Sequence, residues 1–288
     1  MAPASTSFTA FALFMGIAMS ITAFPVLARI ILEGDLTRSH PGTVSLGCAA
    51  VDDISAWCIL CVLVSIVKAD GMAQPFIVVA IVLVYIAVMI FLLRPSLRRL
   101  LPSNPFSEGP LATSNYNSWA AVLLAFALSS GLATEIIGVH ALFGAFLAGT
   151  IIPAGHLRTY CKERFEVVAS GLLLPLFFAF TGLRTQITLL DSARAWLICA
   201  AVLIVAVAGK LGGSMLAARW SGIDWNDSFV VGILMNTRGL MELIALNIGF
   251  DLGIISAQMF AMLVLMALIS TIMTAPLLAC TNRDTIRN

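Results

Sequence analysis

Charge is what this sequence has least of. Asp, Glu, Lys and Arg make up 11% of its 288 residues, where soluble domains carry about a quarter. Together with 60% hydrophobic residues and a mean hydropathy of +1.02, that scarcity excludes an ordinary soluble domain. A formal net charge of +1 leaves no basic surface, so no nucleic-acid partner is expected. The six cysteines lack metal-ligand spacing. Cys58 and Cys61 form a C-x-x-C, but inside an apolar run they read as small packing residues. Hydrolytic and redox motifs are missing too, so neither an enzyme nor a cofactor is expected. Low-complexity sequence is absent, and the one long polar connection, residues 94–110, does not read as an inter-domain linker. The opening has no basic stretch and no small-residue cleavage site, which argues against a signal peptide.

Apolar sequence is what the chain has in quantity. Runs of roughly 17–25 residues number about nine. They lie near residues 8–32, 42–67, 76–94, 117–133, 136–154, 166–183, 194–218, 227–248 and 257–280. They predict a single all-α polytopic membrane domain over residues 1–288. Loop Lys and Arg set orientation. Loops after odd-numbered spans, with the tail, hold Arg38, Arg94, Arg98, Arg99, Arg158, Lys162, Arg164, Arg219, Arg283 and Arg287; loops after even-numbered spans hold Lys68, Arg184 and Arg194. The bias predicts a cytoplasmic C-terminus. With nine spans the N-terminus then lies outside, which points to an odd number of further spans upstream. Ala141, Ala145 and Gly149 form a small-residue stripe suited to close helix contact. Several of the five Trp fall near span ends, where an aromatic belt is expected.

A few charges lie inside these runs: Asp52 and Asp53 side by side, Lys210, Arg238 with Glu242, and Arg29 at the end of the first. An ionisable group at membrane depth costs about 2.5–3.5 kcal/mol on insertion scales, so it faces a cavity or a partner. A carboxylate pair, a lysine and an Arg/Glu helix at that depth point to ion movement. Successive helical residues are about 100° apart. One of Asp52 and Asp53 therefore points into an ion cavity while the other meets a neighbouring helix. Proton and cation then compete for the same carboxylate. Lys210 needs an anionic partner or snorkels to an interface. Arg238 and Glu242, four apart, share a helix face. They pair with each other or with a crossing helix, either structurally or as part of the ion path. Arg29 is expected to snorkel. His140 is a structural histidine or a pH sensor.

Two spans look broken. In MGIAMSITAFPVLARIIL, Pro25 removes a backbone donor, and Ser20 and Thr22 can satisfy freed groups. In LMNTRGLMELIALNIG, Asn236, Thr237 and Gly239 interrupt an apolar run. Half-helix ends meeting an ion near the midplane are a transporter device, although each break alone also fits a simple kink. Thr22 Oγ and exposed carbonyls near Phe24 offer the oxygen ligands hard cations prefer.

SITAFPVLARIIL, AVDDISAWCIL, HALFGAFLAGTIIP, LPLFFAFTGLRT, GKLGG and NTRGLMELIALNIG, in that order, resemble the monovalent cation:proton antiporter family. The likeness is to its second group, which holds bacterial sodium/proton and potassium/proton exchangers and plant cation/proton exchangers. The resemblance runs from Phe8 to Thr281 and implies an inverted-repeat antiporter fold with two discontinuous helices, here without the first three or four membrane helices. It implies that Asp53 binds the transported ion. It also places Lys210 opposite the aspartates, bridging Asp52 and released when cation or proton binds. A carboxylate pair with a lysine is similar to the electrogenic branch. The implied activity is exchange of Na⁺ or K⁺ for H⁺ by a homodimer in the plasma (inner) membrane, with no metal beyond the transported cation. Two alternatives stand beside it. One is a fold-related sodium-coupled organic-anion symporter, which would not need Lys210. The other is an inactive or assembly-dependent membrane fragment.

Overall fold

The computed structural model describes residues 7–68, 74–101, 110–138 and 141–285. His140 lies outside them. Every regular segment among the described residues is helical. The α-helices are α1 (Phe8–Ser20), α2 (Phe24–Glu33), α3 (His40–Lys68), α4 (Gln74–Ala87), α5 (Arg94–Leu100), α6 (Pro110–Ile137), α7 (Ala141–Ile151) and α8 (His156–Val168). They continue with α9 (Leu174–Arg184), α10 (Ala193–Val207), α11 (Gly213–Trp220), α12 (Trp225–Met235), α13 (Leu240–Asp251), α14 (Ala257–Ile272) and α15 (Thr274–Thr285). Short π-helical turns at Val88–Leu93, Ala169–Leu173 and Ala208–Gly212 join α4 to α5, α8 to α9 and α10 to α11.

Seven helices among the described residues are long and apolar enough to cross a bilayer, and α12 with α13, bent by 48°, makes an eighth. The ninth expected span, near residues 136–154, is not a helix of spanning length. Gly138 takes φ +99°, a left-handed conformation that glycine adopts without a Cβ penalty. It closes α6 after Ile137, so two residues assigned to the later run belong to the earlier helix. The remaining helix, α7, has 11 residues and is about 16 Å long at 1.5 Å per residue, about half a hydrocarbon core.

The chain divides into two compact units. The first comprises residues 1–60 and 181–288, the second residues 61–180. In the first, Leu27, Ile31, Ala49, Val230, Ile233, Leu234 and Leu278 form a core joining α2, α3, α12 and α15. Helix α14 is buried almost throughout Met259–Ala267, as befits a helix that is apolar all round. Trp196, Trp220 and Trp225 are exposed near helix ends, while Trp57 is buried within α3.

In the second unit, α6 and α7 pack closely through small residues. A methyl on Gly144 would lie 2.1 Å from the Ser130 carbonyl oxygen, and one on Gly131 3.0 Å from that of Ala141. The Ser130 hydroxyl donates to the Gly144 carbonyl and bonds the Tyr85 hydroxyl. The buried small face of α7 therefore runs through Gly144 and Ala148. Of the expected stripe through Ala141, Ala145 and Gly149, Ala141 lies against Gly131, but Gly149 is exposed with open space at its Cα. An all-apolar helix carries two such ladders, and hydropathy cannot choose between them.

Candidate functional site: two crossing helix breaks

The site lies within the first unit, where the chain leaves helical geometry twice. Between α1 and α2, residues 21–23 are non-helical. Pro25 does not kink this span from inside. It sits in the first turn of α2, where a missing N–H costs nothing because no intrahelical acceptor exists there. The second break, residues 236–239, separates α12 from α13.

Each break leaves backbone groups that water would normally satisfy, and at membrane depth the protein must satisfy them itself. The last carbonyls of α1 are met by cations. Arg238 Nη1 donates to Ala18 O at 2.9 Å and Nη2 to Met19 O at 2.7 Å, and Lys210 Nζ donates to Ser20 O. Cations belong there, since the C-terminal end of a helix is its negative pole. The N–H groups just ahead of α2 are met by acceptors. Thr22 N–H donates to Asp52 Oδ2 at 2.8 Å and Ala23 N–H to Thr237 O at 3.0 Å. The Asp52 carboxylate thus sits at the positive start of α2.

The two breaks are stitched together directly. The Thr22 hydroxyl donates to Met235 O at 3.1 Å, one of the open carbonyls at the end of α12. Gly239 is required by close approach, because a Cβ there would lie 2.8 Å from Val26 Cγ2 and 3.1 Å from Ala23 Cβ. Asn236 donates from its side chain to Ser270 O at 3.4 Å, and the Thr237 hydroxyl to Leu234 O at 2.6 Å. Thr271 Oγ1 accepts the Arg238 N–H and donates to the Arg238 carbonyl, both at 2.9 Å.

Charge is arranged around this crossing. Lys210 Nζ lies 3.0 Å from Asp52 Oδ2, with side-chain exposures of 12% and 22%. The π-helical turn Ala208–Gly212 carries the lysine, and such turns recur at functional sites. Arg238 Nη1 lies 3.1 Å from Glu242 Oε1, both side chains fully buried. That pair forms part of the helix crossing, since the same guanidinium holds two α1 carbonyls. Asp53 is 6% exposed, and its Oδ1 is buried without a hydrogen-bond partner among the described residues. Glu242 Oε2 is in the same condition. Arg29 pairs with Glu33 at 2.8 Å on the exposed face of α2.

The residues singled out from sequence are thus brought together: Thr22, Pro25, Asp52, Asp53, Lys210, Asn236, Thr237, Arg238 and Glu242. The carbonyls of Ala18, Met19 and Ser20, the Thr271 hydroxyl and the π-helical form of the lysine turn were not anticipated. Only the last left a trace in sequence, the glycines flanking Lys210. Among the described residues, no group of three or more His, Cys, Asp or Glu is placed to hold a metal ion.

Residues 4–280 match the family described as sodium/hydrogen exchanger, transmembrane. Over 280 residues, 96% of the chain, the sequence is 41% identical to "Na(+)/H(+) antiporter NhaS4" of Synechocystis sp., covering 66% of that protein. It is 37% identical over 268 residues to "Cation/H(+) antiporter 15" of Arabidopsis thaliana, covering 92% of the chain and 32% of the relative. It is 33% identical over 287 residues to "K(+)/H(+) antiporter 1" of Saccharomyces cerevisiae, covering 98% and 32%. The chain therefore spans just under two thirds of the first of these proteins and about one third of the other two. All three are named as antiporters. The family match and the apolar helices together make this an integral membrane protein.

Proposed function

This chain belongs to the sodium/hydrogen exchanger transmembrane family, and we propose that it carries the ion site of a transporter exchanging Na⁺ or K⁺ for protons by alternating access. The observation that carries this reading is Asp53 Oδ1, a buried carboxylate oxygen with no hydrogen-bond partner among the described residues, at the mouth of a broken helix. A buried acceptor left open is costly. A proton or a hard monovalent cation relieves that cost, and competition between them for one site is what exchange needs.

In this reading Asp53 takes the ion and Asp52 is the second carboxylate, held by Lys210 and the Thr22 N–H. Loading the site with a cation loosens the lysine from Asp52, which couples occupancy to the geometry of the α1 end. Thr22 keeps lone pairs on Oγ1 to offer a cation while its proton is held by Met235. Pro25, Asn236, Thr237, Arg238 and Glu242 hold the crossing that fixes these groups. Two carboxylates with one lysine favour electrogenic exchange. The family resemblance supports a homodimer in the plasma membrane, and the basic tail residue Arg283 with Arg287 supports a cytoplasmic C-terminus. No covalent chemistry is required, so the protein acts as a transporter rather than an enzyme.

The test is proton release from everted vesicles on addition of Na⁺ or K⁺. Vesicles with the unsubstituted transporter should release protons, and those with Asp53→Asn should not. Normal exchange by the Asn form across the pH range would overturn the assignment.

A further inference from the structure

Within the second unit, the ends of α5, α6 and α7 and the start of α8 enclose a cavity of about 260 Å³. Arg98, Tyr116, His156 and Arg158 line it. Beside it runs a groove along Ile90, Phe91 and Pro95 that shares Arg98 with the cavity and is bordered by Arg94. Phe91 is 80% exposed, within the apolar span Ala80–Leu100, of which only 11% is buried. One end of this continuous depression is therefore cationic and the other faces the hydrocarbon of a bilayer.

The cations are uncompensated. Among the described residues, Arg94, Arg98 and Arg158 make no ion pair. Residues 94–101 and 153–168 carry Arg94, Arg98, Arg99, Arg158, Lys162 and Arg164 against only Glu163 and Glu166. Guanidinium groups present planar forks that match phosphate oxygens two at a time, and the Tyr116 hydroxyl adds a neutral donor. Helix α8 starts at the same wall from Gly155, with no side-chain cap on its first turn. An occupant must be anionic at one end and apolar at the other. Inorganic phosphate would use only the cavity, and an acidic peptide would leave the apolar groove exposed.

We propose that this depression binds an anionic phospholipid, its phosphate between Arg98 and Arg158 and an acyl chain along Ile90 and Phe91. Basic pockets between membrane helices take anionic headgroups through the same attraction between clustered cations and phosphate.

The experiment follows thermal unfolding of this chain in neutral detergent with dioleoylphosphatidylglycerol, dioleoylphosphatidylcholine or inorganic phosphate. The anionic lipid should raise Tm by roughly 4 °C, as a ligand bound only by the folded state does. The zwitterionic lipid and free phosphate should raise it by less than half as much. The double variant Arg98→Gln/Arg158→Gln should lose most of the anionic-lipid shift, while Arg164→Gln, outside the cavity, keeps it. An unchanged shift in the double variant, or an equal shift from phosphatidylcholine or phosphate, overturns the proposal. If the double variant does not fold, native mass spectrometry of the unsubstituted chain decides. Phosphatidylglycerol should be retained over phosphatidylcholine and stripped by rising salt, and equal retention of the two lipids overturns the site.

Discussion

Lys210 and Asp52 meet at 3.0 Å through Asp52 Oδ2, the same oxygen that accepts the Thr22 backbone N–H. One carboxylate oxygen thus closes an ion pair between α3 and the α10–α11 turn while capping a broken helix. Lys210 in turn donates to the last carbonyl of α1. Removing the lysine leaves both the Asp52 carboxylate and the Ser20 carbonyl without their cation.

Lys210→Gln should therefore lower both stability and exchange. Breaking a largely buried pair from one side costs about 3–5 kcal/mol in soluble hosts, so a fall in Tm of several degrees is expected in detergent. Cation-driven proton release should drop at least tenfold in vesicles where the variant is shown to be inserted. A variant that melts and transports normally would mean the lysine only snorkels.

Asp53→Asn separates function from stability. Neutralising a buried carboxylate whose Oδ1 has no partner removes a desolvation cost, so Tm should rise or hold while exchange is lost. Asp53→Glu should retain part of the exchange. A large loss of stability in Asp53→Asn would instead identify Asp53 as a structural acceptor.

Arg238 and Glu242 should behave as one unit. Arg238→Met strands a fully buried carboxylate and frees the Ala18 and Met19 carbonyls, for a loss of about 3–5 kcal/mol. Glu242→Gln should cost less, since the α1 contacts survive. The double variant Arg238→Met/Glu242→Met should recover part of the loss, and the double-mutant cycle measures the coupling. Strict additivity would show that the pair does not act as one unit.

Gly239→Ala should force apart the two breaks, because its Cβ would meet Val26 Cγ2 at 2.8 Å. Overpacking of this kind costs about 1–3 kcal/mol. Adding Val26→Ala should restore part of the melting temperature, and no rescue would place the close approach elsewhere.

The packing of α6 on α7 gives a paired comparison. Gly144→Ala drives a methyl into the Ser130 carbonyl and should cost about 3 kcal/mol or more, at the upper end of overpacking. Gly149→Ala meets open space and should be neutral or stabilising by up to about 1 kcal/mol, the helix-propensity gain. Melting curves showing the reverse order would restore the stripe read from sequence.

Sequence alone determined the class and the cast. Long apolar runs can only be helices in a bilayer, because each helix satisfies its own backbone. The few charges within them, Asp52, Asp53, Lys210, Arg238 and Glu242, stood out because their burial has to be justified. Which atoms justify it was decided by tertiary structure. That Arg238 holds the α1 carbonyls rather than Glu242 alone depends on a contact across 219 and 220 positions of chain, and no local pattern encodes it. The same holds for Asp52, which caps a helix thirty residues away, and for Pro25, which opens α2 instead of bending one long helix. The misplaced span near 136–154 and the exposure of Gly149 on α7 share a cause. In a segment apolar on every side, hydropathy fixes neither where the helix stops nor which face is buried. Gly138's backbone and the approach of Ser130 to Gly144 settle both.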